Sequence, residues 1–267
     1  MTRLTSNDLI NTRTMCRDWD EFLRHWAGIG LIEIAARVSG KSLDAIMSAA
    51  GSRKVFAVPV TTGLGRIDTF SESVAAIIGT MGFDARVTDG CDVDGIYEAC
   101  SRGGDMIFMA DDNRYVGVNL RNGSVGENNI ATSLGYVEVL DAAAEGLSGK
   151  DVLVTGYGTV GRGMSLALIA KGAGVYIYDS DMTRSAAAEG EGLRVIADMS
   201  RIKEFDLIAD ATNSGGWLTN ELLSEDPIIV APGVPVSLDL AAMDRHRGRF
   251  FHDPLDIGTA AMVGLAV

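Results

Sequence analysis

Apolar and polar positions change rhythm several times along this chain. The first fifty residues read as helical. Thr5 or Ser6 can cap a helix running toward Trp26, with Leu9, Phe22 and Leu23 as its apolar positions, and Gly28 and Gly30 interrupt it. Ser42 can cap a second helix over 43–50, ended by Gly51. The run at 55–60 is then short and apolar, as a buried strand is. Pro59 has no N–H to give a ladder, which predicts an edge position or a bulge there. Residues 71–81 read as a helix closed by Gly82, 85–88 as a strand, 93–101 as a helix and 106–110 as a strand. Strands and helices alternating in this way predict a parallel α/β layout.

A long Ala-, Leu- and Val-rich pattern over 129–146 predicts a helix linking two domains, with the boundary near 128. The second half restarts with strands at 152–155, 175–178, 206–209 and 228–230. Helices are expected at 160–172, 182–190, 218–224 and 237–245, then a short apolar piece at 250–251 and a last helix at 258–265.

Composition narrows the function. The chain has 267 residues, enough for one large or two small domains. Its 23 Lys and Arg against 36 Asp and Glu give a formal net charge of −13. That disfavours nucleic acid and anionic membrane surfaces as partners. No apolar run reaches the roughly 18 residues of a membrane span, and the first residues lack the apolar core of a secretory signal. Cys16, Cys91 and Cys100 form no CxxC and read as packing residues of a reduced, cytoplasmic protein. No group has metal-ligand spacing, so no metal is expected.

The sharpest chemical signal is Gly156-Tyr157-Gly158-Thr159-Val160-Gly161. This GxGxxG directly follows an apolar strand, opens a helix, and is followed by a second strand ending in Asp179. Gly156 allows the tight turn, Gly158 admits the pyrophosphate to the backbone, and Gly161 permits close helix–strand packing. Thr159 and Val160 begin the helix, whose free N–H groups favour phosphate. Asp179 suits the ribose hydroxyls and favours NAD over NADP, although Arg184 lies near it in sequence. The expected fold class is therefore α/β. An N-terminal helical plus small parallel α/β domain (1–128) precedes a C-terminal Rossmann domain with its linking helix (129–267). Ala211-Thr212-Asn213 and Ala231-Pro232-Gly233 follow strands of that half, which makes Ala211, Thr212, Pro232 and Gly233 candidates for the ribose and nicotinamide side. Ordinary connections would also place Gly and Pro there.

An NAD enzyme also needs a group that accepts a proton. Histidine is scarce. His25 reads as structural, His246 in Arg245-His246-Arg247 as part of a solvated face, and His252 as the one with some prospect of a direct role. Asp111 and Asp112 are better placed at a strand end, and acids there suit a cationic substrate; the plain alternative is an Asx-turn. The loop 60–65 has hydroxyls and N–H groups that could hold a carboxylate, or is a plain turn.

The stretches 58–65 (VPVTTGLG), 69–73 (TFSES), 109–113 (MADDN), 231–235 (APGVP) and 253–260 (DPLDIGTA) resemble pyrrolysine synthase, the PylD family, at similar spacings over nearly the whole chain. The resemblance implies NAD-dependent oxidation of the terminal amine of 3-methyl-D-ornithyl-N6-L-lysine, with loss of ammonia and ring closure to L-pyrrolysine. It implies a substrate pocket at Thr62, Phe70, Asp111 and Asp253, with Leu4 closing over it. It further implies that Asp111 orients the reacting amine and takes its proton, and that Asp253 is a second, catalytic anchor for the cationic end. Thr62 stands where the family has serine, and Asp253 where it has glutamate. The implied partner is a small dipeptide-like substrate, and a homodimer is compatible with the sequence. Two other readings stand beside this one: another NAD-dependent amine or hydroxyacid dehydrogenase, and a non-catalytic NAD-responsive binding module.

Overall fold

The computed structural model describes residues 4–5, 9, 12–63, 67 and 69–267. Helix α1 (Thr12–Trp26) begins well inside the predicted span. Thr5 lies outside any helix, and the cap at Ser6 falls outside the described residues. Helix α2 (Leu31–Ser39) was not separated out by the sequence pattern. Gly30 sits at its start, where the Glu33 carboxylate accepts the Gly30 N–H, and Gly40 in the left-handed region (φ +66°) ends it. Helix α3 (Leu43–Ala50) has the predicted cap: Ser42 Oγ accepts from Ala45 N at 3.2 Å.

The first sheet has the order β2-β1-β3-β4-β5. Strands β1 (Lys54–Ala57), β2 (Asp84–Val87) and β3 (Met106–Ala110) pair in parallel, joined by α4 (Phe70–Thr80) and α5 (Asp92–Ser101). This is the predicted layout with one correction. Strand β1 is central, not an edge. Pro59 is harmless because the strand ends at Ala57, and the Pro59 carbonyl accepts the N–H of Asp92. The sheet then continues antiparallel through β4 (Tyr115–Asn119) and β5 (Val125–Glu127), which the sequence pattern did not reveal.

Helix α6 (Asn128–Ala143) leads into the second sheet, ordered β11-β10-β9-β6-β7-β8. These strands are β6 (Asp151–Thr155), β7 (Gly174–Tyr178), β8 (Arg194–Val195), β9 (Leu207–Asp210), β10 (Ile228–Val230) and β11 (Phe250–Phe251). All neighbours are parallel. Counted from β6, the order is 3-2-1-4-5-6, that of the dinucleotide-binding Rossmann sheet. Helices α7 (Thr159–Ala170), α8 (Met182–Gly190) and α9 (Leu240–Arg245) complete this half. The helix expected at 218–224 is absent. That stretch is turns, and Leu218 instead forms an isolated parallel bridge with Leu238, burying both side chains.

The last helix, α10 (Asp256–Ala266), returns to the first half and packs on α2, α4 and α6. Nearly every residue in it is buried, as in a helix that is apolar all round. Its small residues allow this. A Cβ on Gly264 would lie 2.2 Å from the Ala35 carbonyl oxygen. The C-terminal helix thereby sets one wall of the cleft between the two sheets.

Candidate active site

The strand ends of both sheets open onto one cavity of about 430 Å³. On the Rossmann side its wall is mostly backbone. Gly156 takes φ +83°, and a Cβ there would press on Ala211 at 3.0 Å. A Cβ on Gly161 would sit 1.8 Å from the Gly156 carbonyl oxygen. A Cβ on Gly158 would meet only Arg184 Nη1, at 3.7 Å, so the backbone there is open to the cavity. Gly158, Thr159 and Val160 line the cleft at the N-terminus of α7. This cradle fits a dinucleotide pyrophosphate, with N–H groups presented where phosphate must come close.

Asp179 follows β7 as expected, but its carboxylate is folded onto the turn. Oδ2 accepts the Tyr157 N–H at 2.6 Å and Oδ1 accepts the Asp181 N–H at 2.8 Å. Arg184 Nη1 stands 3.9 Å from Asp179 Oδ2. The loop after β9 is stiffened from below. Buried Asp210 accepts hydrogen bonds from Thr155 Oγ1 (2.5 Å) and Thr212 Oγ1 (2.8 Å), and Trp217 Nε1 donates to Thr212 Oγ1 at 3.0 Å. Burial pushes the Asp210 carboxyl above its ordinary range. Ala211, Thr212, Asn213, Pro232 and Gly233 all line the cavity.

The opposite wall carries the acids. Asp111 and Asp112, in the turn between β3 and β4, line the cleft with Asp253. Asp111 Oδ1 accepts the N–H groups of Asn113 (2.8 Å) and Arg114 (2.7 Å). Those amides hold its carboxyl below the usual range, so it is ionised. The Asx-turn alternative and the cleft position are thus both true of Asp111. Its second oxygen takes neither bond.

Asp253 is buried. Its Oδ1 accepts N–H groups from Leu255 (2.9 Å), Asp256 and Ile257 (3.2 Å) at the start of α10, and its Oδ2 accepts the Tyr136 hydroxyl at 3.1 Å. Burial still pushes Asp253 upward, and pushes neighbouring Asp256 well up, helped by the Asp253 charge. The pair therefore holds a proton more readily than two free carboxyls would.

Of the residues named on the substrate side, Leu4, Thr62, Phe70, Asp111 and Asp253 all line this one cavity. Phe70 packs edge-on to Tyr115 at 5.3 Å between ring centres. Leu64 and Gly65 of the 60–65 loop fall outside the described residues. Gly156, Gly161 and Asp179 lie behind the lining and shape the turn.

The histidines are placed differently. His252 does not line the cleft; its Nδ1 lies 2.7 Å from the Ala231 carbonyl oxygen and its ring stacks on Phe250. His246 is not on a solvated face: it is 3% exposed, and burial lowers its pKa. Cys100 is exposed and Cys91 half-buried, so only Cys16 fits the expectation of packing. Sequence reasoning missed Tyr115, Tyr136, Asn128, Asn129 and Thr132, all of which line the cleft. The pair Asn128-Asn129 at the start of an Ala-, Leu- and Val-rich helix was the one available hint. Among the described residues there is no cluster able to hold a metal ion, and no helix long and apolar enough to cross a membrane.

Two family models match the two halves. Residues 17–126 match "Pyrrolysine biosynthesis protein PylD, N-terminal domain". Residues 133–230 match "S-adenosyl-L-homocysteine hydrolase, NAD binding domain". The pyrrolysine synthase of Methanosarcina barkeri is 35% identical over 98% of this chain and 97% of its own length. The chain belongs to the pyrrolysine synthase family. The pyrrolysine synthase of Methanosarcina acetivorans is 32% identical, covering 98% of both chains. Among solved structures, quinate dehydrogenase from Corynebacterium glutamicum aligns at TM-score 0.51 and 14% identity, over 80% of this chain and 94% of that one. Shikimate dehydrogenase from Aquifex aeolicus aligns at TM-score 0.51 and 15% identity, over 79% of this chain and 90% of that one. At that identity the likeness concerns the fold. The chain is an α/β, NAD-dependent dehydrogenase with a Rossmann domain, in a family of pyrrolysine biosynthesis.

Proposed function

We propose that this enzyme oxidises the terminal amine of 3-methyl-D-ornithyl-N6-L-lysine, with loss of ammonia and ring closure to L-pyrrolysine. The observation that carries the reading is the acidic wall of Asp111, Asp112 and Asp253 across one cavity from the dinucleotide turn. When bound, NAD supplies the two-electron oxidation of the carbon bearing the amine. The turn at Gly156, Gly158 and Gly161 and the loops at Ala211, Thr212, Pro232 and Gly233 hold the cofactor, with Asp179 at the adenosine end.

Asp111 presents the oxygen that its own turn leaves free to the terminal ammonium. An amine must lose its proton before its carbon can be oxidised, and Asp111 receives it, directly or through a water. Because backbone amides hold Asp111 below the usual carboxylate range, it is a better anchor than base. Asp253, catalytic in the same sense, steadies the cationic end. The oxidised carbon is an iminium, the substrate's own α-amine adds to it, and ammonia leaves as the ring closes.

Thr62 contributes a hydroxyl and Phe70 an apolar face, and Leu4 covers the open side. The two units, divided near residue 128, face each other across the cleft. The same reading makes the enzyme cytoplasmic, where NAD and free thiols coexist.

The test is to mix enzyme, NAD and synthetic dipeptide and follow NADH together with product mass. NADH formed one for one with a cyclised product lacking ammonia is expected. NAD binding without turnover of this dipeptide overturns the proposal and leaves a generic amine or hydroxyacid dehydrogenase.

A further inference from the structure

Asp92 opens helix α5 with φ +52°, a left-handed conformation uncommon for non-glycine residues, though Asp is among those that adopt it. What holds it is the segment leading into the cleft. The Asp92 N–H donates to the Pro59 carbonyl at 2.9 Å. The Thr61 N–H donates to Asp92 Oδ1 at 2.8 Å, and the Thr61 hydroxyl donates to Asp92 Oδ2. Three bonds therefore tie one residue to a three-residue stretch, and the next residue, Thr62, lines the cavity while Asp92 does not.

The helix packs closely against the same strand end. A Cβ on Gly95, one turn on, would lie 2.6 Å from Val58 and 2.9 Å from Thr88 Oγ1. On its other side the same loop meets the acids, since a Cβ on Gly63, at φ +72°, would stand 2.0 Å from Asp112 Oδ2. The loop is thus gripped from α5 and seated against the turn that carries Asp111.

We propose that Asp92 is a positioning residue for substrate, acting through Thr61 to fix Thr62 and the loop 60–63 against the acidic wall. This rests on the substrate reading above only for the identity of what is bound. The Thr61 bonds also hold the Asp92 carboxyl below its ordinary range, so the grip persists across the neutral range.

The variants separate strain from grip. Asp92→Gly relieves the φ and deletes the carboxylate. Asp92→Asn tolerates the φ and keeps an acceptor for the Thr61 N–H. Asp92→Gly is expected to raise the dipeptide KM about tenfold, the loss of roughly 1.4 kcal/mol, with kcat, NAD affinity and Tm little changed. Asp92→Asn recovers most of that loss. Amide exchange at Thr61 and Thr62, measured without substrate, rises in the Gly variant and not in the Asn variant. Unchanged exchange at both residues in Asp92→Gly overturns the proposal whatever the substrate proves to be. Faster exchange with an unchanged KM overturns the link to binding. Failure of the unmodified enzyme to turn over the dipeptide strikes the substrate reading instead, and the exchange result still decides the grip.

Discussion

The two walls of the cleft are made differently. The Rossmann-side wall is mostly backbone, from the turn at 156–161 and the loops at 211–213 and 232–233, and a Cβ on Gly156, Gly161 or Gly233 would collide with another backbone atom. The substrate wall is side chains from four separate places in the chain, near residues 62, 70, 111 and 253, brought together by sheet topology and by the return of α10. A wall of backbone recognises what all dinucleotides share. A wall of side chains can be retuned for one substrate without disturbing the sheet beneath it.

The largest effect expected from breaking this contrast is at Gly161. Gly161→Ala places a Cβ 1.8 Å from the Gly156 carbonyl, and loss of measurable NAD binding in titration is the expected result. Across the cleft, Asp111→Asn should lower kcat/KM by about 10²–10⁴, the scale of a lost acid–base and orienting group, while NAD affinity stays unchanged. Equal losses of both would show that the walls are not independent.

How far each wall could be read from sequence follows the same division. Gly156, Gly158, Gly161 and Asp179 lie within one strand–helix–strand unit, so spacing alone exposed them. Four strands of the Rossmann half, β6, β7, β9 and β10, were likewise found within a residue or so and β11 was seen as a short apolar piece, whereas the two-residue edge strand β8 was missed. Asp111 was visible as an acid after a strand. Phe70 and Asp253 needed the family resemblance, because nothing local distinguishes a cleft aromatic from a core one, or a helix-capping Asp from an anchor. Tyr136 escaped because it sits in a helix whose other faces are buried as well, and no period separates its cleft side. Strands β4 and β5 escaped for a related reason: Gly117 and Gly126 break their alternation. A Cβ on Gly117 would press on the Phe108 ring and one on Gly126 on the Met262 backbone, so tertiary packing decides those residues.

Smaller effects sharpen the comparison. Asp179→Ala should weaken NAD about tenfold, near the value of one or two hydrogen bonds, and narrow the gap between NAD and NADP because Arg184 then faces the ribose unopposed. Parallel titrations with the two dinucleotides check this, and unchanged selectivity counts against Asp179 as the discriminating residue.

The smallest expected effect concerns Asp256. Its folded pKa is raised, so the native state holds a proton that the unfolded chain releases near pH 4. The stability this group gives is complete below that pH and is lost as pH rises through the folded pKa. Asp256→Asn should therefore be close to neutral at pH 4 and more stable than the parent at pH 8. The gain in Tm is about 2–4 °C for each kcal/mol recovered. Thermal melts at the two pH values give the sign directly.

The most direct test of the central claim follows the nitrogen that leaves. The dipeptide is synthesised with ¹⁵N only at its terminal amine and incubated with enzyme and NAD. The label is predicted to appear in ammonia, one for one with NADH, and to be missing from the ring. Label retained in the cyclic product, or NADH formed without labelled ammonia, would contradict oxidation at that carbon and the role given to the acidic wall.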